Sequence, residues 1–291
     1  MLRRSQCEAS DLARMVHPGR RGHKIVAVLQ FKFDESYDGK VISQVMSVGG
    51  WIANESEWRR LESRWARRVD FENRHSRPDQ QITRFHAAEM NCKGGEYKNW
   101  DKQMCLQLSK KLIALIAKRK IGAVAIGCDI EAVQSVFPKG DIEGMARRAY
   151  VLCMKQLMVE IAHILEKHFP GDTVLLIHDH GNWDDAALEG YNLLVDDPDW
   201  PRRGLFEGLV ARTGGTDIGL QVADMISYEC FKAIKAKKIS SDAGMRGAMR
   251  EFLKHEVPIS AKWIDIKAAQ AFYKVMKESG KYPNLDNCGL V

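Results

Sequence analysis

Residues 25–33 read IVAVLQFKF, and the polar run DESYDG follows directly at 34–39. β-Branched and aromatic residues dominate the first run, which is typical of a strand, and the second run is typical of a turn. A further apolar run over 41–52 predicts the returning strand of a hairpin. Asp34 is therefore expected at the end of the first strand.

Beyond the hairpin, helical and strand patterns alternate, which favours an α/β fold with a mixed sheet. The predicted helices cover 55–70, 101–119, 142–168, 184–195 and 218–234, and the predicted strands cover 82–85, 121–130, 173–177 and 206–211. We expect Asn54 or Ser56 to cap the first helix. The predicted organisation is a flexible basic extension over 1–23, an α/β domain over 24–239 and a C-terminal helical extension over 240–291, packed on the same domain with two helices in 242–279.

Composition excludes several classes of protein. The chain has 291 residues, of which 45% are hydrophobic and 28% charged, as in ordinary globular proteins and unlike disordered or fibrous ones. No apolar run approaches the ~18 residues of a membrane span, and the N-terminus lacks the apolar segment of a secretory signal, so we expect a cytoplasmic protein without membrane contact. The seven scattered cysteines form no CxxC pair, which argues against a zinc ribbon or a thioredoxin-like site.

The net charge of +6 is concentrated at the N-terminus, where residues 1–24 contain six basic residues and two acids. The rest of the chain is nearly neutral, so a nucleic-acid surface would have to be a local patch. Such a patch is predicted on the helix over 55–70, on the face opposite its apolar residues. Its candidate nucleic-acid-binding residues are Arg60, Arg64, Arg67 and Arg68. The alternative is a solvated helix face without a ligand.

Carboxylates recur at the edges of the most apolar elements. Asp34 and Asp179 end predicted strands, and Glu89 begins a helix. Asp224 lies inside the apolar helical stretch LQVADMI at 220–226. Burial of an ionised carboxylate is costly unless cations or several donors compensate it, and the ends of strands in α/β sheets are common places for sites.

Converging carboxylates would suit divalent cations. Clusters with oxygen ligands alone favour Mg²⁺ or Mn²⁺ over zinc, and two such ions about 3.5–4 Å apart support phosphodiester hydrolysis. Each acid also has a structural explanation. Asp34 and Asp179 could form turns or caps, and Glu89 could be a first-turn helix acid that the helix dipole favours. Asp224 could accept a buried hydrogen bond from Ser227 or the backbone.

Several motifs occur in the order found in one microbial family. They are Asp34-Glu35-Ser36, Gly49-Gly50, the HxxE segment from His86 to Glu89, the strand ending at Asp179, and the LQxAD segment ending at Asp224. In this order the chain resembles the domain of unknown function 3800 family, which is grouped with ribonuclease H-like folds. The resemblance spans about 25–235, and LQxAD is its most specific part.

The resemblance implies a ribonuclease H-like mixed β-sheet flanked by helices, with extra helices at the C-terminus. It also implies an acidic cluster that holds two divalent ions, Mg²⁺ or Mn²⁺. The implied catalytic metal ligands are Asp34, Glu89, Asp179 and Asp224. By the same resemblance His86 is a catalytic candidate that orients a ligand or moves a proton, and Ser36 and Gln221 support the ligands.

The chain departs from the family pattern at two points. Tyr37 replaces the glycine after the DES motif, so the turn must form differently. Asp179 is flanked by His178 and His180, and a nitrogen ligand from either would favour Mn²⁺. Three other acids are alternatives to Asp179: Asp184, Asp185 and Asp129.

These observations predict a divalent-metal-dependent nuclease that hydrolyses phosphodiester bonds of RNA or DNA. Tyr37, Tyr97 and Trp183 are candidates for stacking on bases, with packing as the alternative. A second hypothesis is a noncatalytic nucleic-acid-binding or partner-binding protein on the same scaffold. A third is an interaction protein whose C-terminal helices form a homo-oligomer interface.

Overall fold

The computed structural model describes residues 28–37, 45–137, 142–239 and 246–278. The predicted basic extension over 1–23 lies outside these residues. Six strands form one mixed sheet: β1 (Val28–Tyr37), β2 (Val45–Ala53), β3 (Gly122–Asp129), β4 (Thr173–Asp179), β5 (Phe206–Arg212) and β6 (Ile259–Ile264). Their order is β5-β4-β1-β2-β3-β6, in which only β2 runs antiparallel to its neighbours. The predicted α/β architecture with a mixed sheet is confirmed.

Helices cover both faces of this sheet. They are α1 (Glu55–His75), α2 (Ala87–Cys92), α3 (Lys102–Ala117), α4 (Ile130–Val136), α5 (Ile142–His168), α6 (Asp184–Val195), α7 (Ile218–Ile239), α8 (Gly247–Lys254) and α9 (Ile266–Glu278). One face carries α7 with α1, α3 and α8, and the other carries α5 with α4, α6 and α9. None of the helices in the described parts of the chain is both long and apolar enough to cross a membrane.

The two hydrophobic cores follow the alternation of the strands. In β3, Val124 and Ile126 join the core beneath α5, whereas Ala123 and Ala125 join the core beneath α7. Successive side chains of a strand point to opposite faces, so a central strand must be apolar on both. The small alanines leave room for α7, which packs directly against β1, β2 and β3.

Gly50 allows β1 and β2 to pair closely. A Cβ atom on Gly50 would lie 2.1 Å from the Lys32 carbonyl oxygen and 2.6 Å from the Phe33 Cβ. One of these atoms is backbone and the other is the first side-chain carbon of the paired strand, so neither can shift without moving β1 itself. The Gly49-Gly50 pair therefore has a packing role beside the residues that lead into Asp34.

Two predicted elements were wrong, and one strand was not predicted. The turn predicted from Asp34 onward is strand as far as Tyr37, because these residues pair with 46–49 of β2. Residues 82–85 do not form a strand, since side chains bind their backbone: the Ile82 N–H donates to Asn73 Oδ1 and the Phe85 N–H to Gln221 Oε1. The C-terminal segment predicted as two helices also contains β6, which pairs with β3 along 123–128.

Candidate active site

The ends of β1 and β4 open into a cavity of about 1200 Å³. The loop before α2, the first turns of α5 and α6, and one side of α7 complete its walls. Because β1 and β4 are parallel, their carboxyl ends meet at one edge of the sheet, the usual position of a site in such folds. Five acids from four elements line this cavity: Asp34, Glu35, Asp179, Asp185 and Asp224.

Asp34 and Asp179 lie side by side at the ends of β1 and β4. The strands pair Phe33 with His178, so the next step of the same register places Asp34 beside Asp179, about 4.8 Å away between backbones. Asp179 Oδ1 accepts a hydrogen bond of 2.6 Å from the Gly214 N–H, and Asp34 Oδ1 accepts one of 2.8 Å from the Glu35 N–H. The prediction that these two acids come together is met by this geometry.

Glu35 also lines the cavity, although sequence reasoning did not include it among the acids. As the residue after Asp34 in β1, it points to the opposite face of the sheet, towards the core that contains Tyr150. The cavity extends around the end of the sheet and therefore receives side chains from both faces. The signal that could have found Glu35 is the DES motif, of which it is part. If the strand is extended through Tyr37, Glu35 lies at the end of the strand together with Asp34.

Asp224 reaches the cavity from the second turn of α7 and is 8% exposed. Its Oδ2 accepts a hydrogen bond of 2.6 Å from the Ala87 N–H at the start of α2. One turn earlier, Gln221 accepts from the Phe85 N–H at 3.0 Å and donates to the Gly214 carbonyl at 3.4 Å. The LQxAD segment thereby ties the loop before α2 and the loop beside Asp179 to the same helix. Ser36, the other predicted supporting residue, meets the Ser227 hydroxyl at 3.2 Å.

Asp34, Glu35, Asp179 and Asp224 interact electrostatically. Burial raises the pKa of Asp34 well above its usual range, and Glu35, Asp224 and Asp179 raise it further. Burial, followed by the charge of Asp179, raises the pKa of Glu35 to about 8. Burial also raises the pKa of Asp224. The charge of His86 and the hydrogen bond from the Ala87 N–H lower this pKa and partly offset the effect of burial. Ionised carboxylates in this arrangement repel one another, and a bound cation would relieve that repulsion.

Glu89, the fourth predicted ligand, is not among the residues that line the cavity. Its carboxylate instead forms an ion pair of 3.1 Å with Arg84 and lies against Gly95, where a Cβ would approach it to 2.1 Å. The HxxE spacing has a local explanation, because the Glu89 N–H donates to His86 Nδ1 and the histidine caps α2. The acids that line the cavity therefore include Glu35 and not Glu89.

His86, the candidate catalytic histidine, lines the cavity, and its capping bond occupies Nδ1. His178 does not line it: its ring is buried and stacks on Phe33 with centroids 5.7 Å apart, and burial lowers its pKa. His180 pairs with Asp184, which also accepts a bond from the Gly181 N–H at 2.9 Å. Neither flanking histidine is placed to supply the predicted nitrogen ligand.

The alternatives to Asp179 differ in position. Asp185 lines the cavity, whereas Asp184 is engaged by His180 and the Gly181 N–H. Asp129 caps α4 through the Glu131 N–H at 3.1 Å and pairs with Lys238 at 2.8 Å. Asp179 and Asp185 therefore both line the cavity, whereas Asp184 and Asp129 are engaged elsewhere.

Cationic and aromatic residues surround the acids. Arg84, Arg147, Lys232 and Lys235 line the same cavity. Trp183 also lines it, with one ring face stacked on Tyr150 at 5.4 Å and Tyr37 edge-on at 5.9 Å. Tyr97, by contrast, is fully buried and its hydroxyl donates to the Arg84 carbonyl, so its role is packing.

The donor set fits a hard divalent cation chemically, because oxygen donors predominate: five acids and one cysteine, Cys92, are among the residues that line the cavity. The side chains do not form a finished metal centre. Within the described ranges, no three histidine, cysteine or acidic side chains are gathered around one point where a metal ion could bind. Asp34, Asp179 and Asp224 each direct a carboxylate oxygen at a backbone N–H instead.

The candidate nucleic-acid-binding arginines do not line the acidic cavity. Arg60, Arg64 and Arg67 line a separate groove on α1. Arg68 lies outside this groove and pairs with Glu72 at 3.2 Å. Three of the four predicted arginines therefore share one groove without Arg68, and this groove is separate from the cavity at the ends of β1 and β4.

Comparisons with protein families, curated proteins and solved structures find no match to the chain. The resemblance to the domain of unknown function 3800 family accordingly rests on the quoted motifs.

The raised pKa of Glu35 predicts that the metal-free protein loses stability as pH rises from about 5 to 8. The folded state retains a proton that the unfolded chain, with an ordinary pKa of 4.5, has released. The free energy of unfolding should therefore fall through this window by on the order of a few kcal/mol. Thermal denaturation in EDTA at pH 5.5 and pH 8 measures it. Glu35→Gln should flatten the dependence and Glu89→Gln should not; equal slopes in all three proteins would contradict the prediction.

Proposed function

We propose that the chain is a divalent-metal-dependent nuclease that hydrolyses phosphodiester bonds of RNA or DNA in the acidic cavity. The carrying observation is that Asp34, Glu35, Asp179 and Asp224 line one cavity at the ends of two parallel strands. Mutual repulsion and burial make this arrangement costly without a cation, so a structural role alone is a poor explanation. The family resemblance, with its ribonuclease H-like fold, supports the same activity.

Asp34, Glu35, Asp179 and Asp224 would hold the ions, which we propose to be Mg²⁺ or Mn²⁺. A cation there would supply Lewis-acid stabilisation of the charge that develops as the ester bond breaks. Binding requires the aspartates to exchange their present backbone hydrogen bonds, such as that from the Gly214 N–H to Asp179, for metal coordination.

The other residues of the cavity position the substrate. Arg84, Arg147, Lys232 and Lys235 line the wall and attract the phosphate backbone. Trp183 offers an aromatic surface to a base, because Tyr150 supports its ring by stacking. His86 lies beside Asp224 with Nδ1 fixed as a cap acceptor, so its Nε2 is the nitrogen that can exchange a proton in the cavity.

A cleavage panel tests the proposal. The full chain is incubated with single-stranded and double-stranded RNA, DNA and RNA–DNA hybrid, each in Mg²⁺, Mn²⁺ and EDTA. We expect cleavage that EDTA abolishes and that Asp224→Asn, purified in parallel, lacks. Asp196→Asn, at the end of α6 and outside the cavity lining, is the matched control and should cleave normally. Equal cleavage by wild type and Asp224→Asn would identify a contaminant and contradict the proposal.

A second candidate function is noncatalytic binding of nucleic acid on the same scaffold. The observation in its favour is that the acids in the described residues do not gather around one metal position. Under this alternative, filter binding detects salt-sensitive binding that is the same in Mg²⁺ and EDTA, and no substrate in the panel is cleaved.

A further inference from the structure

A basic groove lies on α1, apart from the acidic cavity. It has a volume of about 530 Å³ and is lined by Arg59, Arg60, Ser63, Arg64, Arg67 and Arg119. Five of these six residues carry a fixed positive charge. We refer to these six residues as the arginine groove.

The acids beside the arginine groove do not neutralise it. Arg59 pairs with Glu55, and Arg60 pairs with Glu57 at 3.0 Å. The same Glu57 lies 3.8 Å from Arg119, so two carboxylates face five guanidinium groups. Like charges crowded in this way are unfavourable unless an anion joins them.

Two of the arginines have unused donors. Arg64 is exposed and has no hydrogen-bond or ion-pair partner within the described residues. Arg119 has a side chain only 13% exposed, and its Nε is buried without a hydrogen-bond partner. A buried donor without a partner is costly, so the Arg119 Nε favours an acceptor from a ligand.

Arg67 is oriented by its own helix. Its Nε donates to the Ser63 carbonyl at 3.2 Å and its Nη2 to the Ser63 hydroxyl at 2.9 Å. These bonds hold the guanidinium against the groove and reduce the side-chain freedom that ligand binding would otherwise have to remove. The groove therefore combines an oriented arginine with two arginines that retain unused donors.

The arginine groove and the acidic cavity lie towards opposite edges of the sheet. Arg119 comes just before β3. The first residue of β3 pairs with Ile52 of β2, and Ile52 in turn pairs with β1 near its start, whereas Asp34 lies towards the end of β1. From Gln30, which pairs with Ala53, to Asp34 the strand extends about 13 Å. The two sites share no lining residue, so the groove needs its own ligand contacts.

We propose that the arginine groove is a separate phosphate-binding site, which takes the phosphate groups of a polyanion such as a nucleotide or a nucleic-acid strand. Guanidinium groups bind phosphate oxygens through paired, charge-assisted hydrogen bonds, and five of them suit more than one phosphate. This inference does not depend on the proposed nuclease activity, because no residue of the acidic cavity takes part in it.

Isothermal titration of the full chain with pyrophosphate in EDTA tests the site. We expect binding that Arg64→Gln combined with Arg67→Gln weakens at least tenfold. Arg74→Gln, an exposed arginine in the last turn of the same helix, is the matched control and should bind as wild type. Circular dichroism confirms that each variant is folded.

A single-stranded oligonucleotide in the same titration identifies the source of the phosphates. If the strand binds there, the double variant should reduce the slope of log Kd against log salt by about two, one for each lost contact. If only pyrophosphate binding changes, the ligand is a free phosphate compound, and the site itself still stands. Failure of both probes to bind, or equal binding by wild type and the double variant, would overturn the proposal.

Discussion

Glu35→Gln is expected to lower metal-dependent cleavage by about a hundredfold or more. The substitution preserves the size of the side chain but removes one of the negative charges that would hold the cation. Glu35 lines the cavity, and Asp179 and Asp224 are among the charges that raise its pKa to about 8. A correctly held metal contributes several kcal/mol to the stabilisation of the transition state, and each 1.4 kcal/mol corresponds to about tenfold in rate.

Glu89→Gln is the matched comparison, since the family motif selects Glu89 and the geometry selects Glu35. Glu89 is paired with Arg84, so its replacement should change cleavage by no more than a few-fold. Initial rates on the best substrate of the panel, at saturating Mg²⁺ or Mn²⁺, provide the measurement. A loss of activity in Glu89→Gln as large as that in Glu35→Gln would show that the acidic set proposed from the geometry is wrong.

The elements that could be predicted from sequence are those with a strong local pattern. The bounds of the helix over 142–168 and of the helix over 184–195 are confirmed. The extension of β1 through Tyr37 depends on pairing with β2, and β6 depends on pairing with β3. In both cases the pairing strand lies outside the segment itself, so local composition favours a turn in the first case and helix in the second.

The site was predictable to the extent that acids stand at ends of strongly patterned elements. Asp34, Asp179 and Asp224 reach one cavity because the ends of β1 and β4 meet beside α7. Glu35 was missed because residues 34–37 were predicted as a turn. In the strand that forms, the Glu35 side chain reaches the cavity, whereas Glu89 pairs with Arg84. Tertiary contacts decide whether a carboxylate points towards an arginine or into a cavity. The spacing of residues in the sequence does not reveal these contacts.

The largest effect on stability is expected for Lys32→Met. Lys32 lies within β1 between Phe31 and Phe33, and its side chain is 6% exposed. Its Nζ lies 2.7 Å from Glu62 Oε1 and 2.8 Å from Asp217 Oδ1. Methionine would fill the space but leave both acids without their central cation. Removing one partner of a buried ion pair costs about 3–5 kcal/mol, so the free energy of unfolding should fall by that amount.

Beside Lys32, the Gly219 N–H also donates to Asp217 Oδ1 at 2.8 Å, but this neutral donor does not replace the lost cation. Arg212 is 3.8 Å from Asp217, too far for a direct hydrogen bond to replace the lysine. A Cβ on Gly219 would lie 2.2 Å from the Lys32 Cδ, so the helix start is closely fitted around this side chain. Water would have to enter a packed region to solvate the two acids.

Urea denaturation at pH 7 measures the effect, with Lys254→Met as the matched control. Lys254 is 71% exposed and pairs with Glu251 within one helix, so its loss should cost no more than about 1 kcal/mol. The triple variant Lys32→Met, Glu62→Gln, Asp217→Asn removes the uncompensated charges and should recover part of the loss. A cost for Lys32→Met no larger than that of the control would mean that the two acids find solvent or other donors, and that the buried ion cluster does not stabilise the sheet. Recovery in the triple variant would identify unpaired charge, rather than altered packing, as the cause of the loss.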